Sequence, residues 1–101
     1  MSLLTLGLYL TEIQLDIIRS WAEQTPQVQE ACLFGSYAKG EAHASSDVHI
    51  AIRAAAVDWT FLTAKWEQYL SKAIGVQVNI RTLELPNVCR YCAEFSVPLK
   101  G

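Results

Sequence analysis

The chain has no basic run, no long hydrophobic run and no second pair of cysteines, and each absence excludes a class of protein. Its 8 lysine and arginine residues against 10 aspartate and glutamate residues give a net charge of −2. This balance argues against a large nucleic-acid substrate. The apolar stretch 3–10 is far shorter than the roughly 20 residues of a membrane span and lacks the basic start of a signal peptide. The sequence therefore predicts a cytoplasmic protein that does not associate with a membrane.

The three cysteines predict neither a zinc site nor a disulfide framework. Cys89 and Cys92 have C-x-x-C spacing, but a zinc site needs a second ligand pair and a thioredoxin-like motif needs a different strand and helix context. An odd number of cysteines without a secretory signal favours reduced thiols. We therefore expect two thiols on a short helix, and Cys32 as a small buried hydrophobe in a strand.

The pattern along the chain predicts a single domain over residues 1–101 with an α/β (α+β) fold. No repeat, linker or low-complexity stretch interrupts the sequence, and a hydrophobic content of 51% suffices for one core. A capping box at Thr11 opens a helix whose apolar residues, starting with Ile13, recur until Pro26. A second helix follows Asp58 and ends at Gly75, and a short one follows Pro86 through Tyr91.

Strands are predicted at 31–34, 48–52 and 76–81, with a last extended piece near 95–97. Side chains alternate between the two faces of a strand, so Asp47 and His49 face the same surface. Asn79 lies on the open face of the third strand, and its side chain can lie beside Asp47 and His49 if the second and third strands are neighbours in the sheet. Helices alternating with such strands predict a small mixed sheet with helices packed on it.

Gly35 and Ser36 follow the first strand, and ten residues separate Ser36 from Asp47. Glycine lets the backbone approach a phosphate, while the serine hydroxyl and the amides at a helix start supply donors. Lys39, in the same loop, can contact phosphate, although a solvated lysine is an equal alternative.

An apolar strand, Gly35-Ser36 and Asp47 at this interval resemble the signature of minimal nucleotidyltransferases (MNT) in the polymerase-beta-like superfamily. That signature is Gly-Ser, ten residues, then Asp-x-Asp, and the resemblance covers nearly the whole chain. It implies a nucleotidyltransferase-like fold, with Gly35, Ser36 and Lys39 binding the nucleotide and Asp47 at the catalytic centre. In the family, three aspartates hold two magnesium ions that bind a nucleoside triphosphate and activate an acceptor.

Two of the three carboxylate positions depart from the family pattern, because His49 stands at the second aspartate and Asn79 at the third. Magnesium prefers oxygen ligands and carboxylate charge, which imidazole and amide groups do not supply. His49 could ligate manganese or zinc beside Asp47, but two ligands do not make a site. An amide also cannot accept the proton of an acceptor hydroxyl. We therefore expect a degenerate active site.

Two functions are compatible with this pattern. One is a non-catalytic or weakly active module that binds a nucleotide and a partner. The alternative is an active nucleotidyltransferase that uses magnesium or manganese to move a nucleoside monophosphate from ATP or another triphosphate to a protein or small-molecule hydroxyl. The resemblance implies a small helical HEPN-type or substrate-binding subunit as partner, as in toxin–antitoxin cassettes. The high apolar content is also compatible with a homodimer.

Overall fold

The described helices and strands occur along the chain in the order that the sequence predicts. The structure, a computed structural model, describes residues 10–35, 47–54, 59–94 and 96–100. The elements are α1 (Glu12–Glu23), β1 (Val28–Phe34), β2 (Val48–Ala54), α2 (Trp59–Ile74), β3 (Val78–Thr82), α3 (Pro86–Glu94) and β4 (Val97–Lys100). The predicted site residues Ser36 and Lys39 and the predicted helix cap Asp58 lie outside the described residues.

The four strands form one mixed sheet in the order β3-β2-β1-β4. Strand β1 runs antiparallel to β2 and β4, whereas β2 and β3 run parallel. The parallel pair is joined through α2, which provides the long crossover that parallel strands require. This topology brings the end of β1 and the starts of β2 and β3 to the same end of the sheet.

Helices α1 and α2 cover one face of the sheet and enclose the main core. Leu33, Ile50 and Ile80 occupy matching positions on the three neighbouring strands β1, β2 and β3, and all three are buried. Trp21 of α1 and Trp66 of α2 meet edge to face, with ring centroids 5.7 Å apart. The two tryptophans therefore join the helices to each other as well as to the sheet.

Helix α3 covers part of the opposite face. Val88 packs there with Phe34 of β1 and Ala51 of β2 in a second, smaller apolar cluster. The remainder of this face carries polar side chains, among them His49 and Asn79. None of the described helices has the length and the apolar run needed to cross a bilayer.

The prediction that Ile13 lies on the apolar face of the first helix is wrong, because its side chain is 73% exposed. The buried residues of α1 are Leu15, Ile18, Trp21 and Ala22. At 100° per residue, Ile13 lies about 160° around the helix from Leu15 and faces solvent. The last strand also differs from the prediction, since β4 begins at Val97 and continues to Lys100.

The predicted capping box at the start of α1 is confirmed. The Thr11 hydroxyl accepts a hydrogen bond from the Gln14 amide at 3.1 Å, and the Thr11 amide donates to Gln14 Oε1 at 2.8 Å. Gln14 Nε2 also donates to the Ile74 carbonyl at 2.8 Å. The start of α1 is thereby attached to the end of α2, so this cap supports both helices.

Replacing Thr11 with alanine should lower the free energy of unfolding by about 1 kcal/mol, because it leaves the Gln14 amide without its side-chain acceptor. Chemical denaturation of the purified protein measures this loss. Thr11→Ser keeps the hydroxyl and serves as the matched control, with a loss under about 0.5 kcal/mol. Equal stabilities for Thr11→Ala and the unchanged protein would contradict a stabilising role for the cap.

Candidate functional site

Three neighbouring strands bring the predicted site residues together at one end of the sheet. The register pairs Phe34 with His49 across β1 and β2, and His49 with Asn79 across β2 and β3. Gly35 follows directly after β1, and Asp47 immediately precedes β2. The expectation that Asp47, His49 and Asn79 lie near one another, beside Gly35, therefore agrees with the geometry.

A direct hydrogen bond joins two of these side chains. Asn79 Nδ2 donates to Asp47 Oδ2 at 3.0 Å, and both residues are half-buried. The amide is uncharged, so it gives the Asp47 carboxylate a hydrogen bond without a compensating positive charge and occupies one of its two oxygens. A carboxylate at position 79 would stand within about 3 Å of Asp47, a separation that disfavours two negative charges unless a cation lies between them.

His49 of β2 lies beside Gly35, the residue that directly follows β1. Its ring is tilted against Phe34, with ring centroids 5.6 Å apart. Gly35 has a φ of +81°, and a Cβ placed there would lie 3.5 Å from His49 Nδ1. Glycine adopts this backbone conformation without strain and places no side chain beside the imidazole. The backbone leaves β1 at the position where the sequence predicts a phosphate-binding turn.

Helix α2 holds β3, and with it Asn79, in place. Because β3 is an edge strand, some of its amides have no strand partner. Ser71 Oγ accepts from the Val78 amide at 2.9 Å, and Glu67 Oε2 accepts from the Ile80 amide at 2.7 Å. These two bonds flank Asn79 and fix the strand that presents it.

The sequence analysis missed Glu67 and Ser71 as supports of the site. They lie four residues apart on α2 and hence on one side of the helix, and this spacing can be recognised in the sequence. That spacing alone does not predict which strand the two side chains contact. Phe34 was assigned only to a buried strand, yet its ring contacts the imidazole of His49.

The described side chains do not fit a two-metal centre. No group of three or more histidine, cysteine, aspartate or glutamate side chains in the described ranges is arranged to hold a metal ion. Asp47 is the single carboxylate among the clustered residues, and Asn79 directs its amide nitrogen toward it. Two-metal chemistry needs ligands for two ions about 3.5–4 Å apart, and this set of side chains falls short of that.

Comparison with known proteins gives matches at the level of sequence and of structure. Residues 16–92 match the family described as "Polymerase beta, Nucleotidyltransferase". The protein adenylyltransferase MntA of Shewanella oneidensis is 38% identical over 66 residues, which are 63% of this chain and 46% of the relative. The chain thus spans about half the length of that curated relative.

Two solved structures have closely similar folds. A crystal structure of a toxin–antitoxin with AMP-PNP matches with a TM-score of 0.73 and 28% identity, covering 87% of this chain and 73% of the solved one. The second structure is that of a tri-AMPylated HEPN toxin of Shewanella oneidensis in complex with an MNT antitoxin. It matches with a TM-score of 0.70 and 22% identity, and the match covers 89% of this chain and 71% of the solved one. The second likeness concerns the fold alone. The predicted small mixed sheet with packed helices is thereby confirmed.

Proposed function

The chain belongs to the polymerase beta nucleotidyltransferase family, and from this premise we propose that it is the nucleotidyltransferase-type subunit of a toxin–antitoxin pair. In this proposal it binds an adenine nucleotide at the Gly35 end of the sheet and a small helical toxin-like protein of the HEPN type. It transfers AMP weakly or not at all, because two of the three carboxylate positions lack a carboxylate.

The single observation that carries the proposal is the hydrogen bond from Asn79 Nδ2 to Asp47 Oδ2 at 3.0 Å. The bond places an amide where the family resemblance implies an aspartate, within direct contact of the remaining carboxylate. An amide nitrogen that donates to a carboxylate cannot ligate a metal or accept a proton. This contact supports a site that keeps the arrangement of the family site with less negative charge.

The nucleotide part of the proposal is supported by the backbone at Gly35 and by the comparisons. The curated relative is named an adenylyltransferase, and a solved toxin–antitoxin structure of similar fold contains AMP-PNP. Both names point to an adenine nucleotide as the ligand. In this chain, Gly35 has a φ of +81° directly after β1, and the carboxylate of Asp47 lies at the same end of the sheet.

The partner part of the proposal is supported by the shape of the domain. Among the described residues, the sheet end with Asp47, His49 and Asn79 offers one wall of a ligand site, and small-ligand sites in proteins are usually enclosed clefts. A second protein would complete such a cleft. Several large apolar side chains are also exposed on the described surface, namely Ile13, Phe61, Tyr69 and Leu85.

A second candidate function is active AMP transfer to a protein hydroxyl. The 38% identity to a protein adenylyltransferase favours it. This function requires the chain to bind a divalent metal ion, although Asp47 is the single carboxylate among Asp47, His49 and Asn79. Metal dependence separates the two candidates, since the first predicts nucleotide binding that is almost independent of magnesium.

Calorimetric titration with ATP tests the nucleotide site, and Gly35→Ala is the informative variant. We expect the unchanged protein to bind ATP with a Kd in the micromolar to submillimolar range, or about 5–8 kcal/mol. Gly35→Ala should bind at least about tenfold more weakly, because the methyl group strains a positive φ and occupies the space above His49.

Gly75→Ala is the matched control for that titration. Gly75 has a φ of +76°, and a Cβ there would meet nothing within 4 Å. Both variants should lose about 1 kcal/mol of stability from backbone strain, but Gly75→Ala should keep the ATP affinity. Failure of the unchanged protein to bind ATP, or equal ATP affinities for the two variants, would contradict a nucleotide site at Gly35.

A further inference from the structure

Two cysteines that are far apart in the sequence meet between the sheet and α3. Cys32 Sγ of β1 and Cys92 Sγ of α3 are 3.2 Å apart as free thiols, and both residues are half-buried. The exposed Cys89 lies one helical turn earlier on α3. Cys32 was predicted to be a buried strand residue, but part of it is accessible and its sulfur lies next to a second thiol.

A groove of about 340 Å³ gives solvent access to this pair. It is lined by Cys32, Cys89 and Cys92 together with the charged side chains of Glu30 and Arg53. Arg53 Nε donates to Glu30 Oε1 at 2.6 Å, which fixes one charged pair beside the sulfurs. The groove can therefore receive a small charged solute whose reactive atom reaches the two thiols.

We propose that Cys32 and Cys92 form a thiol–disulfide exchange site for a low-molecular-weight disulfide of the glutathione type. The Cys32 thiolate attacks one sulfur of the small disulfide, which forms a mixed disulfide and releases the first small thiolate. The Cys92 thiolate then attacks the Cys32 sulfur, which forms the Cys32–Cys92 bond and releases the second small thiolate. The two thiol protons end on the two released molecules, which are reduced as the protein is oxidised.

The order of attack follows from the surroundings of Cys92. Burial is the largest cause that raises the pKa of Cys92 to about 12, followed by the hydrogen bond with Cys32 and the negative charge of the Cys32 and Cys89 thiolates. Cys92 is therefore protonated at neutral pH, and the thiolate is the nucleophile in such exchange. Cys32 attacks first. When its sulfur is capped, the hydrogen bond and the charge of Cys32 no longer raise the pKa of Cys92, although burial still does. Cys92 then acts as the resolving thiol because its sulfur lies next to that of Cys32.

The geometry requires little movement. A disulfide has sulfurs about 2.05 Å apart, so this pair must approach by about 1 Å. The two cysteines are 60 residues apart, and the bond would tie α3 to β1 directly. The inference concerns the face covered by α3 and does not rest on nucleotide binding.

The test exposes the reduced full chain to excess oxidised glutathione at neutral pH, followed by alkylation under denaturing conditions and peptide mass spectrometry. We expect a Cys32–Cys92 linked peptide and the loss of alkylation at both residues. The oxidised protein should unfold at a temperature at least about 5 °C higher than the reduced protein, and dithiothreitol should reverse the shift.

Two variants separate this site from nonspecific oxidation. Cys89→Ser should form the same linked peptide, whereas Cys92→Ser should stop at a glutathione adduct on Cys32. Thermal unfolding establishes that each variant is folded, and Cys92→Ala replaces Cys92→Ser if the serine variant is not. Adducts confined to Cys89, or a bridge between Cys89 and Cys92 with Cys32 still alkylated, would overturn the proposal.

Discussion

Changing both His49 and Asn79 to aspartate is expected to make ATP binding depend strongly on magnesium. The unchanged protein should show less than about a threefold difference in Kd between magnesium and EDTA, whereas the double variant should bind ATP at least about 100-fold more tightly in magnesium, or about 2.7 kcal/mol. The reason is geometric, because Asn79 Nδ2 already lies 3.0 Å from Asp47 Oδ2. Aspartate at position 79 would place a second carboxylate oxygen within reach of a shared cation.

The same double variant should be less stable than the unchanged protein when no metal is present. Three carboxylates at one end of the sheet repel one another, with a cost on the order of 1–3 kcal/mol in partly buried surroundings. Magnesium should restore that stability by neutralising the cluster. Thermal unfolding with and without magnesium measures the effect separately from nucleotide binding.

Gln68→Asp is the control, since it adds a carboxylate to the exposed surface of α2. It should change neither the magnesium dependence of ATP binding nor that of thermal unfolding. If the double variant gained no metal dependence while remaining folded, the loss of two carboxylates would not explain the weak metal site that we propose.

Co-expression with the product of the adjacent reading frame is expected to give a stable complex that withstands gel filtration. We expect the untagged partner to co-elute with the tagged chain in a fixed ratio. The physical reason is that the described surface leaves Ile13, Tyr69 and Leu85 exposed by 73%, 57% and 45%. Burial of such side chains at an interface stabilises association by removing apolar surface from water.

An unrelated tagged protein of similar size, co-expressed with the same partner, controls for nonspecific retention. Mixing the two separately purified proteins tests whether the complex forms without joint folding. Separate elution in both experiments would contradict the two-protein arrangement. That result would not contradict the proposed nucleotide site, because the titrations of the Gly35 and Gly75 variants do not involve the partner.

Local patterns in the sequence predicted much of the fold. Alternation in β2 placed Asp47 and His49 on one face, and the capping box at Thr11 located the start of α1. Such features depend on residues a few positions apart. The apolar pattern of α1 was misread at Ile13, because an isoleucine in the first turn fits a helical spacing while pointing into solvent.

The contacts that join distant parts of the chain could not be predicted in this way. The contact of Asn79 with Asp47 depends on β3 pairing with β2, and strand order is a property of the whole sheet. The meeting of Cys32 with Cys92 depends on how α3 packs across β1. Neither contact can be predicted from the spacing of residues that are close in the sequence.

Transfer of labelled AMP from ATP to the co-purified partner in magnesium distinguishes a silent site from an active one. If the site binds the nucleotide but has lost the carboxylates for transfer, the unchanged protein should hold ATP and leave the partner unlabelled. Rapid magnesium-dependent labelling of the partner by the unchanged protein, abolished by Asp47→Asn, would contradict this expectation and establish the chain as an active adenylyltransferase.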